Sequence, residues 1–210
     1  MIIHQIFVPV IAHSSYIVAG DKTCAVIDPE RDVTRYLDAA KQMGLRITHV
    51  LETHLHADFV SGHLDLADAT GAEIIAPKSG HCAFPHTPVA EGDVVNLEHI
   101  RFAVISSEGH TPDQVCFLAT DTSRGATPVA LFSGDTLFVG DVGRPDLFPG
   151  KAQELAGSLY DNLHQKILTL PDECEVYPAH GMGSLCGRAM AAKRTTTIGY
   201  ERKYGGPANL

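Results

Sequence analysis

Apolar residues occur along the chain in short runs that predict β-strands. Near the amino terminus the runs IIHQIFV, SYIVAG and TCAVIDP are separated by turn residues, and Pro29 ends the third run. This part of the chain predicts a β-meander. Further strands are predicted for the runs ITHVLETH, EIIAP, VVNLEHIRFAVISSEG, QVCFLAT, PVALFSGDTLF and ECEVYPAHG.

Three segments have apolar residues at helical spacing. Residues 32–43 place their apolar side chains on one face, with Asp32 as the expected N-cap and Gly44 as the expected stop. A second helix is predicted near residues 61–71 and a third over about 152–169. Because strands and helices alternate over residues 23–76, the pattern predicts an α/β fold.

Length and charge limit the kinds of partner. A chain of 210 residues with 44% hydrophobic composition predicts a single domain over residues 1–210. Its last residues, 196–210, are expected to be a frayed end or a linker. The net charge of −9 and the isolated Lys and Arg residues argue against nucleic acid. Without a signal peptide or a run of roughly 18 apolar residues, no membrane association and a cytoplasmic location are expected.

The five cysteines show no CxxC spacing, which argues against a disulfide framework or a structural zinc finger. The 12 histidines are more informative, because several of them lie beside acidic residues. Four of the others are predicted to be ordinary surface histidines: His63, His81, His86 and His99.

The strongest chemical signal is the segment THLHAD at residues 53–58, which directly follows a predicted strand. It places His54, His56 and Asp58 close together, and such a cluster is a typical metal-binding set. An isolated HxH could equally be a surface pair. Three further segments next to strands favour a functional site: GHTP at 109–112, SGDT at 133–136 and PAHG at 178–181.

In this order and spacing, the four motifs resemble those of the metallo-β-lactamase superfamily. The resemblance covers nearly the whole chain and implies a four-layer αβ/βα sandwich with a metal at one edge of its two sheets. Within the superfamily, ETHLHADFVSGH at 52–63, GDTLFVGDVGRPDL at 134–147 and PAHGMGSLCG at 178–187 are most similar to persulfide dioxygenases, including the rhodanese-fused type. That likeness implies oxidation of a sulfane sulfur, such as glutathione persulfide, by O₂ to sulfite.

The same resemblance implies one Fe(II) ion per chain, held by His54, His110 and Asp135. Two histidines and one carboxylate form the facial arrangement of Fe(II) enzymes that bind O₂ and substrate side by side. Dinuclear hydrolases of the superfamily, such as glyoxalase II, carry a histidine where this chain has Phe59, which cannot coordinate a metal. His56 could be a direct ligand if the metal were zinc.

Four further residues are candidates for catalytic roles. Asp58 and His180 are expected to orient ligands and waters or to carry protons. Arg144 lies near the site in the family, where it could pair with Asp146 or contact a substrate carboxylate. Cys186 could hold or transfer a sulfane sulfur, or could be a buried and inert thiol.

Two alternatives stay open. A zinc hydrolase acting on a thioester or lactone is disfavoured by Phe59. The chain could also be the catalytic part of a sulfur-relay protein that works with a rhodanese partner. The chain could also form a homo-oligomer.

Overall fold

Two six-stranded sheets form the centre of the fold in the computed structural model, which describes residues 1–206. The first sheet has its strands in chain order: β1 (Ile2–Val8), β2 (His13–Ala19), β3 (Thr23–Ile27), β4 (Arg46–Leu51), β5 (Glu73–Pro77) and β6 (Thr87–Val89). β1, β2 and β3 are antiparallel to one another, whereas β3 to β6 run parallel. The predicted amino-terminal meander is confirmed.

The second sheet comes from the rest of the chain, in the order β12 (Thr196–Thr197), β11 (Glu175–Pro178), β10 (Ala130–Gly134), β9 (Val115–Asp121), β8 (Ile100–Ser106) and β7 (Val94–Leu97). Its neighbours are antiparallel except for β10 and β11. The α-helices of the described residues are α1 (Thr34–Gln42), α2 (His63–Thr70), α3 (Ala152–Gln165) and α4 (Ile198–Tyr204). Every helix in residues 1–206 is too short or too polar to cross a membrane.

Alternation of side chains along the strands divides the apolar residues among separate cores. In β2, Tyr16 and Val18 pack between the sheets, in the same cluster as Phe117 of β9. Ile17 points to the opposite face, where it joins Leu66 of α2. A third cluster joins the outer face of the second sheet to α3 and α4. The layers are therefore helix, sheet, sheet, helix, which confirms the α/β class and the four-layer sandwich.

Several predicted bounds differ from the structure. The run 94–109 forms the hairpin β7–β8, which turns at Glu98 with a φ of 52°. Glu98 and His99 are consecutive polar residues, and the buried positions shift by three residues from Leu97 to Ile100, so the turn interrupts the alternation of the run. α2 begins at His63 rather than near Ser61, and α3 ends at Gln165, before a 3₁₀ turn at Ile167–Thr169.

The carboxy-terminal segment is ordered further than expected. β12 pairs with β11, and Ile198 of α4 is buried in the core beneath α3. Glu201 is also buried and accepts a hydrogen bond from the backbone of Gly140 at 3.0 Å. The prediction of a frayed end or linker is therefore wrong for residues 196–204, and residues 207–210 lie outside the described residues.

Glu98 connects the β7–β8 hairpin of one sheet to the β2–β3 turn of the other. Its carboxylate accepts hydrogen bonds from the backbone amides of Asp21, Lys22 and Thr23 at 2.6, 3.0 and 2.7 Å. The Thr23 hydroxyl donates a further bond at 2.6 Å. These bonds, that of the Thr23 hydroxyl foremost, lower the pKa of Glu98 to about 2.

Glu98→Gln is expected to lower the free energy of unfolding near neutral pH and to have less effect in acid. Because the folded-state pKa lies below the ordinary value of 4.5, the ionised carboxylate stabilises the fold above that value. This contribution is lost as the pH falls from 4.5 towards about 2. Urea unfolding at about pH 7 and about pH 3 measures the difference, with the exposed Glu173→Gln as the matched control. An effect of equal size at both pH values would contradict the expectation.

Candidate metal centre

The four sequence motifs meet at one end of the two sheets. His54 follows β4, Asp135 follows β10 and His180 follows β11, while His110 lies in the loop between β8 and β9. Functional groups gather at the carboxyl ends of parallel strands because the loops that follow such strands leave the sheet at the same edge. The fold therefore brings together side chains that are far apart in the sequence.

His54, His110 and Asp135 form a compact group, here called the triad, whose ligand atoms all lie within 4.8 Å of one another. Oδ2 of Asp135 is 3.2 Å from Nε2 of His110 and 3.9 Å from Nε2 of His54. All three residues are buried, and this carboxylate oxygen has no hydrogen-bond partner among the described residues. A buried carboxylate oxygen that faces two imidazole nitrogens without a hydrogen bond fits a divalent metal ion.

The two histidines of the triad are held through their other ring nitrogens. The Thr53 hydroxyl donates to Asp28 at 2.8 Å, which leaves its oxygen free to accept from Nδ1 of His54 at 2.9 Å. Nδ1 of His110 lies 3.0 Å from the carbonyl oxygen of Arg144, to which it can donate. Contacts of this kind direct Nε2 of each ring towards a metal.

The protonation states of the triad also suit metal binding. Burial and the neighbouring His56 hold the pKa of His54 well below its ordinary value. Burial by itself would raise the pKa of Asp135, but the imidazoles of His180 and His110 hold it well below its usual range. A neutral imidazole and an ionised carboxylate are the forms in which these side chains bind metals.

Three of the predicted catalytic residues, Asp58, His180 and Cys186, form a second group beside the triad, with ligand atoms within 4.8 Å of one another. Nε2 of His180 lies 2.9 Å from Oδ2 of Asp58, and its Nδ1 is hydrogen-bonded to Oδ1 of Asp135 at 2.7 Å. Burial would lower the pKa of His180, but the carboxylates of Asp135 and Asp58 raise it well above its ordinary value. Burial raises the pKa of the Cys186 thiol. Their catalytic roles stay predictions.

His56 lies next to the triad but faces other acids. Its ring centroid is 4.2 Å from that of His54, while its Nε2 is 3.1 Å from Oδ1 of Asp28 and 3.5 Å from Oε2 of Glu52. Burial would lower the pKa of His56, but the Asp28 carboxylate raises it. The structure thus does not group His56 with the three predicted ligands, and its role as a zinc ligand stays a prediction.

His13, which the sequence analysis did not recognise, packs against the centre beside Phe59. The ring of Phe59 lies 4.3 Å from that of His13 and 4.4 Å from that of His56. His13 is fully buried, and neither of its ring nitrogens has a hydrogen-bond partner in residues 1–206. Burial, together with His56 and His180, holds the pKa of His13 well below its ordinary value. The contact depends on a bridge between His13 and His180 that no local pattern predicts.

The prediction that His63 is an ordinary surface histidine is wrong. Its side chain is only 13% exposed, its Nδ1 lies 3.2 Å from Oε1 of Glu52, and its ring lies 4.3 Å from that of Phe84. Glu52 is buried and also accepts a hydrogen bond from the Ser61 hydroxyl at 2.5 Å. Asp28 and Glu52 each directly follow a buried strand. This position in the sequence could have identified the two acids as residues that lie close to the predicted metal site.

Arg144 forms the expected ion pair with Asp146, through contacts of 2.7 and 3.0 Å from its guanidinium group. Its backbone amide donates to the carbonyl oxygen of Cys186 at 2.9 Å. The carbonyl oxygen of Arg144 contacts Nδ1 of His110. The two backbone contacts of Arg144 therefore link the triad to the loop that carries Cys186. Contact between the Arg144 side chain and a substrate stays a prediction.

Comparison with known proteins identifies relatives of two kinds. A family model described as the metallo-beta-lactamase superfamily matches residues 8–180. The chain is 31% identical over 201 residues to the mitochondrial persulfide dioxygenase ETHE1 of Homo sapiens, covering 93% of this chain and 74% of that protein. It is 34% identical over 162 residues to a hydroxyacylglutathione hydrolase of Aliivibrio salmonicida, covering 77% of this chain and 58% of the relative.

Two solved structures have the same fold over almost the whole chain. A metallo-beta-lactamase from Staphylococcus aureus superposes with a TM-score of 0.93 at 35% identity, covering all of this chain and 63% of that chain. This chain therefore spans less than two thirds of that protein. ETHE1 from Myxococcus xanthus superposes with a TM-score of 0.84 at 30% identity, covering 99% of this chain and 84% of that chain.

Proposed function

The chain belongs to the metallo-beta-lactamase superfamily, and on that premise we propose that it is a persulfide dioxygenase that uses one Fe(II) ion. The triad of His54, His110 and Asp135 supports this function, because two histidines and one carboxylate leave coordination positions open. The similarity to a human persulfide dioxygenase supports the same activity. The overall reaction consumes a persulfide, O₂ and water and yields sulfite and the free thiol.

Fe(II), when bound, supplies adjacent positions for O₂ and the persulfide sulfur. His54, His110 and Asp135 would hold the ion and would leave coordination positions open for the substrates. Phe59 and the neutral His13 form one wall of the centre, with ring centroids 4.3 Å apart. Because the phenyl ring has no polar atoms, this wall helps to exclude water from the reacting sulfur.

We propose that Asp58 and His180 supply the proton that the released thiolate takes up. Nε2 of His180 lies 2.9 Å from Oδ2 of Asp58, and the carboxylates of Asp135 and Asp58 raise the pKa of His180 well above its ordinary value. The hydrogen bond from Nδ1 of His180 to Asp135 keeps the ring oriented during the transfer. We therefore assign His180 as the proton donor and Asp58 as the residue that orients it.

We propose that the carrier of the sulfane sulfur binds in a cleft next to Arg144, whose carbonyl oxygen contacts His110 of the triad. Gly143, Arg144, Tyr160 and Arg188 line this cleft. Its two guanidinium groups suit the carboxylates of a thiol such as glutathione. Cys186, next to His180, would accept a sulfane sulfur by attacking the outer sulfur of the persulfide, which breaks the S–S bond of the carrier and releases it as a thiolate; the reverse exchange would pass the sulfur to a rhodanese-type partner.

Protein purified without oxygen and loaded with Fe(II) is expected to consume O₂ when glutathione persulfide is added, and to form sulfite in about equal amount. An oxygen electrode and a sulfite assay measure the two quantities. The same protein loaded with Zn²⁺ is the control and is expected to consume no O₂. Absence of O₂ uptake by the iron-loaded protein would contradict the proposed function.

A zinc-dependent hydrolase of glutathione thioesters is the second candidate. The 34% identity to a hydroxyacylglutathione hydrolase favours it. In that reaction Asp58 would orient the attacking water. Phe59 argues against it, because the side chain cannot supply the second-metal ligand found in dinuclear hydrolases. Thioester cleavage by the zinc-loaded protein, without O₂ uptake by the iron-loaded protein, would favour the hydrolase.

A further inference from the structure

His56 lies within reach of the metal centre but does not face it. Its ring centroid is 4.2 Å from that of His54, closer than the 5.5 Å between the rings of His54 and His110. Its side chain is only 1% exposed. A buried imidazole so close to a ligand could become a further ligand if its ring turned. The orientation of the His56 ring therefore decides how many imidazoles the centre offers to a metal.

We infer that Glu52, together with Asp28, is a positioning residue that holds His56 away from the triad and so keeps the centre at three protein ligands. Nε2 of His56 lies 3.1 Å from Oδ1 of Asp28 and 3.5 Å from Oε2 of Glu52. Both carboxylates are buried, and attraction between opposite charges is stronger there than in water. The inference rests on the proposed function to the extent that it takes the triad as the ligand set.

The carboxylate of Glu52 is fixed through its other oxygen. Oε1 accepts a hydrogen bond from the Ser61 hydroxyl at 2.5 Å and lies 3.2 Å from Nδ1 of His63. His63 is the first residue of α2, and its ring packs on that of Phe84 at 4.3 Å. Because these contacts engage Oε1, Oε2 is left to attract His56. The start of α2 thus sets the position of the carboxylate.

Asp28 has a second role, and this distinguishes it from Glu52. Its two oxygens accept hydrogen bonds from the backbone amide and the hydroxyl of Thr53, at 2.7 and 2.8 Å. The same hydroxyl contacts Nδ1 of His54, so a change at Asp28 would disturb the triad directly. In residues 1–206 the side-chain hydrogen bond and ion pairs of Glu52 go to residues outside the triad: His56, Ser61 and His63. Glu52 is therefore the residue at which the orientation of His56 can be changed selectively.

The number of protein ligands affects which metal the centre prefers. Two imidazoles and one carboxylate leave positions open, as Fe(II) enzymes that bind O₂ and substrate side by side require. A third imidazole would complete four protein ligands, which is the closed tetrahedral set typical of structural zinc. By keeping His56 out of the ligand set, Glu52 shifts the preference of the centre from zinc towards Fe(II).

Glu52→Gln removes the charge and keeps the size of the side chain. Co²⁺ is the probe, because its visible absorption is weak at high coordination numbers and intense in a tetrahedral site. The Co²⁺-loaded variant is expected to absorb more strongly than the unmodified protein. Its ratio of Zn²⁺ to Fe(II) affinity is expected to rise at least about tenfold, since residues that only orient ligands change metal affinity by about 10–100-fold. Absorption spectra and anaerobic competition with a chelator measure the two quantities.

A second substitution shows whether His56 is responsible for the change. Glu52→Gln combined with His56→Gln is expected to return the spectrum and the affinity ratio to those of the unmodified protein, because the added ligand is gone. Glu173→Gln removes an exposed charge of the same kind and is expected to change neither quantity. No change in Glu52→Gln, or a change that persists in the double variant, would overturn the inference.

X-ray absorption of the unmodified protein loaded with Zn²⁺ tests the orientation of His56 without any variant. Two imidazole ligands per zinc are expected, from His54 and His110, whereas three would show that His56 binds and would also overturn the inference. These readouts report metal binding and not turnover. Absence of O₂ uptake by the iron-loaded protein would therefore contradict the proposed function and leave them unaffected.

Discussion

Asp135→Asn is expected to weaken Fe(II) binding by at least about 100-fold, because a residue that merely orients a ligand already contributes about 10–100-fold. Asparagine keeps the shape of the side chain but removes the charge and offers an amide in place of one oxygen. Oδ2 of Asp135 faces His110 and His54, and Oδ1 holds His180, so the substitution affects both the triad and its neighbour. Iron content after dialysis and O₂ uptake with glutathione persulfide measure the loss.

Asp38→Asn is the matched control for this experiment. Asp38 lies on the exposed face of α1, away from the centre, and the substitution removes the same charge. It is expected to leave iron binding and O₂ uptake unchanged. If the Asp135 variant kept one iron per chain after the same dialysis, Asp135 would not be a ligand.

Gly143→Ala is expected to destabilise the protein and to disrupt the triad. A Cβ atom at residue 143 would lie 2.0 Å from the carbonyl oxygen of Asp135 and 2.9 Å from Cβ of His110. Overpacking costs about 1–3 kcal/mol, and a clash with backbone cannot be relieved by rotating a side chain, so we expect a loss of about 3 kcal/mol. Urea unfolding measures this loss, and metal content measures the effect on the triad.

Gly157→Ala provides the comparison. Gly157 lies on α3, and a Cβ atom there would have no neighbour within 4 Å. Because alanine favours a helix over glycine by about 1 kcal/mol, this variant is expected to be slightly more stable. Equal stability of the two variants would show that residue 143 tolerates a side chain, contrary to the geometry.

The strands of this fold were predictable where their pattern is local. In β2, the strict alternation of Tyr16, Ile17 and Val18 between two cores follows from burial of both faces of the sheet. The hairpin at Glu98 has a local signal, since Glu98 and His99 are consecutive polar residues and the buried positions shift by three residues from Leu97 to Ile100. α4 was missed because Ile198 is buried by contacts with elements distant in the sequence.

The candidate site also contains residues that local sequence patterns predicted and residues whose positions depend on contacts distant in the sequence. The motifs next to strands predicted a metal site, and the resemblance to persulfide dioxygenases implied which three residues form the triad. The structure brings the ligand atoms of those three residues together. His13 was not predicted, because nothing near it in the chain indicates a metal centre. His63 was assigned to the surface because a histidine on a polar helix usually lies there. In the structure its imidazole contacts the buried carboxylate of Glu52 and is largely shielded from solvent.

The sequence by itself determined the kinds of candidate ligand and their order along the chain, since the motifs and their positions after strands are local properties. The tertiary structure alone decided how these side chains are grouped. Nε2 of His56 lies near Asp28 and not in the triad, while Cys186 lies with Asp58 and His180. These groupings depend on the positions of loops from two separate sheets, and such long-range contacts arise only when the sheets pack against each other.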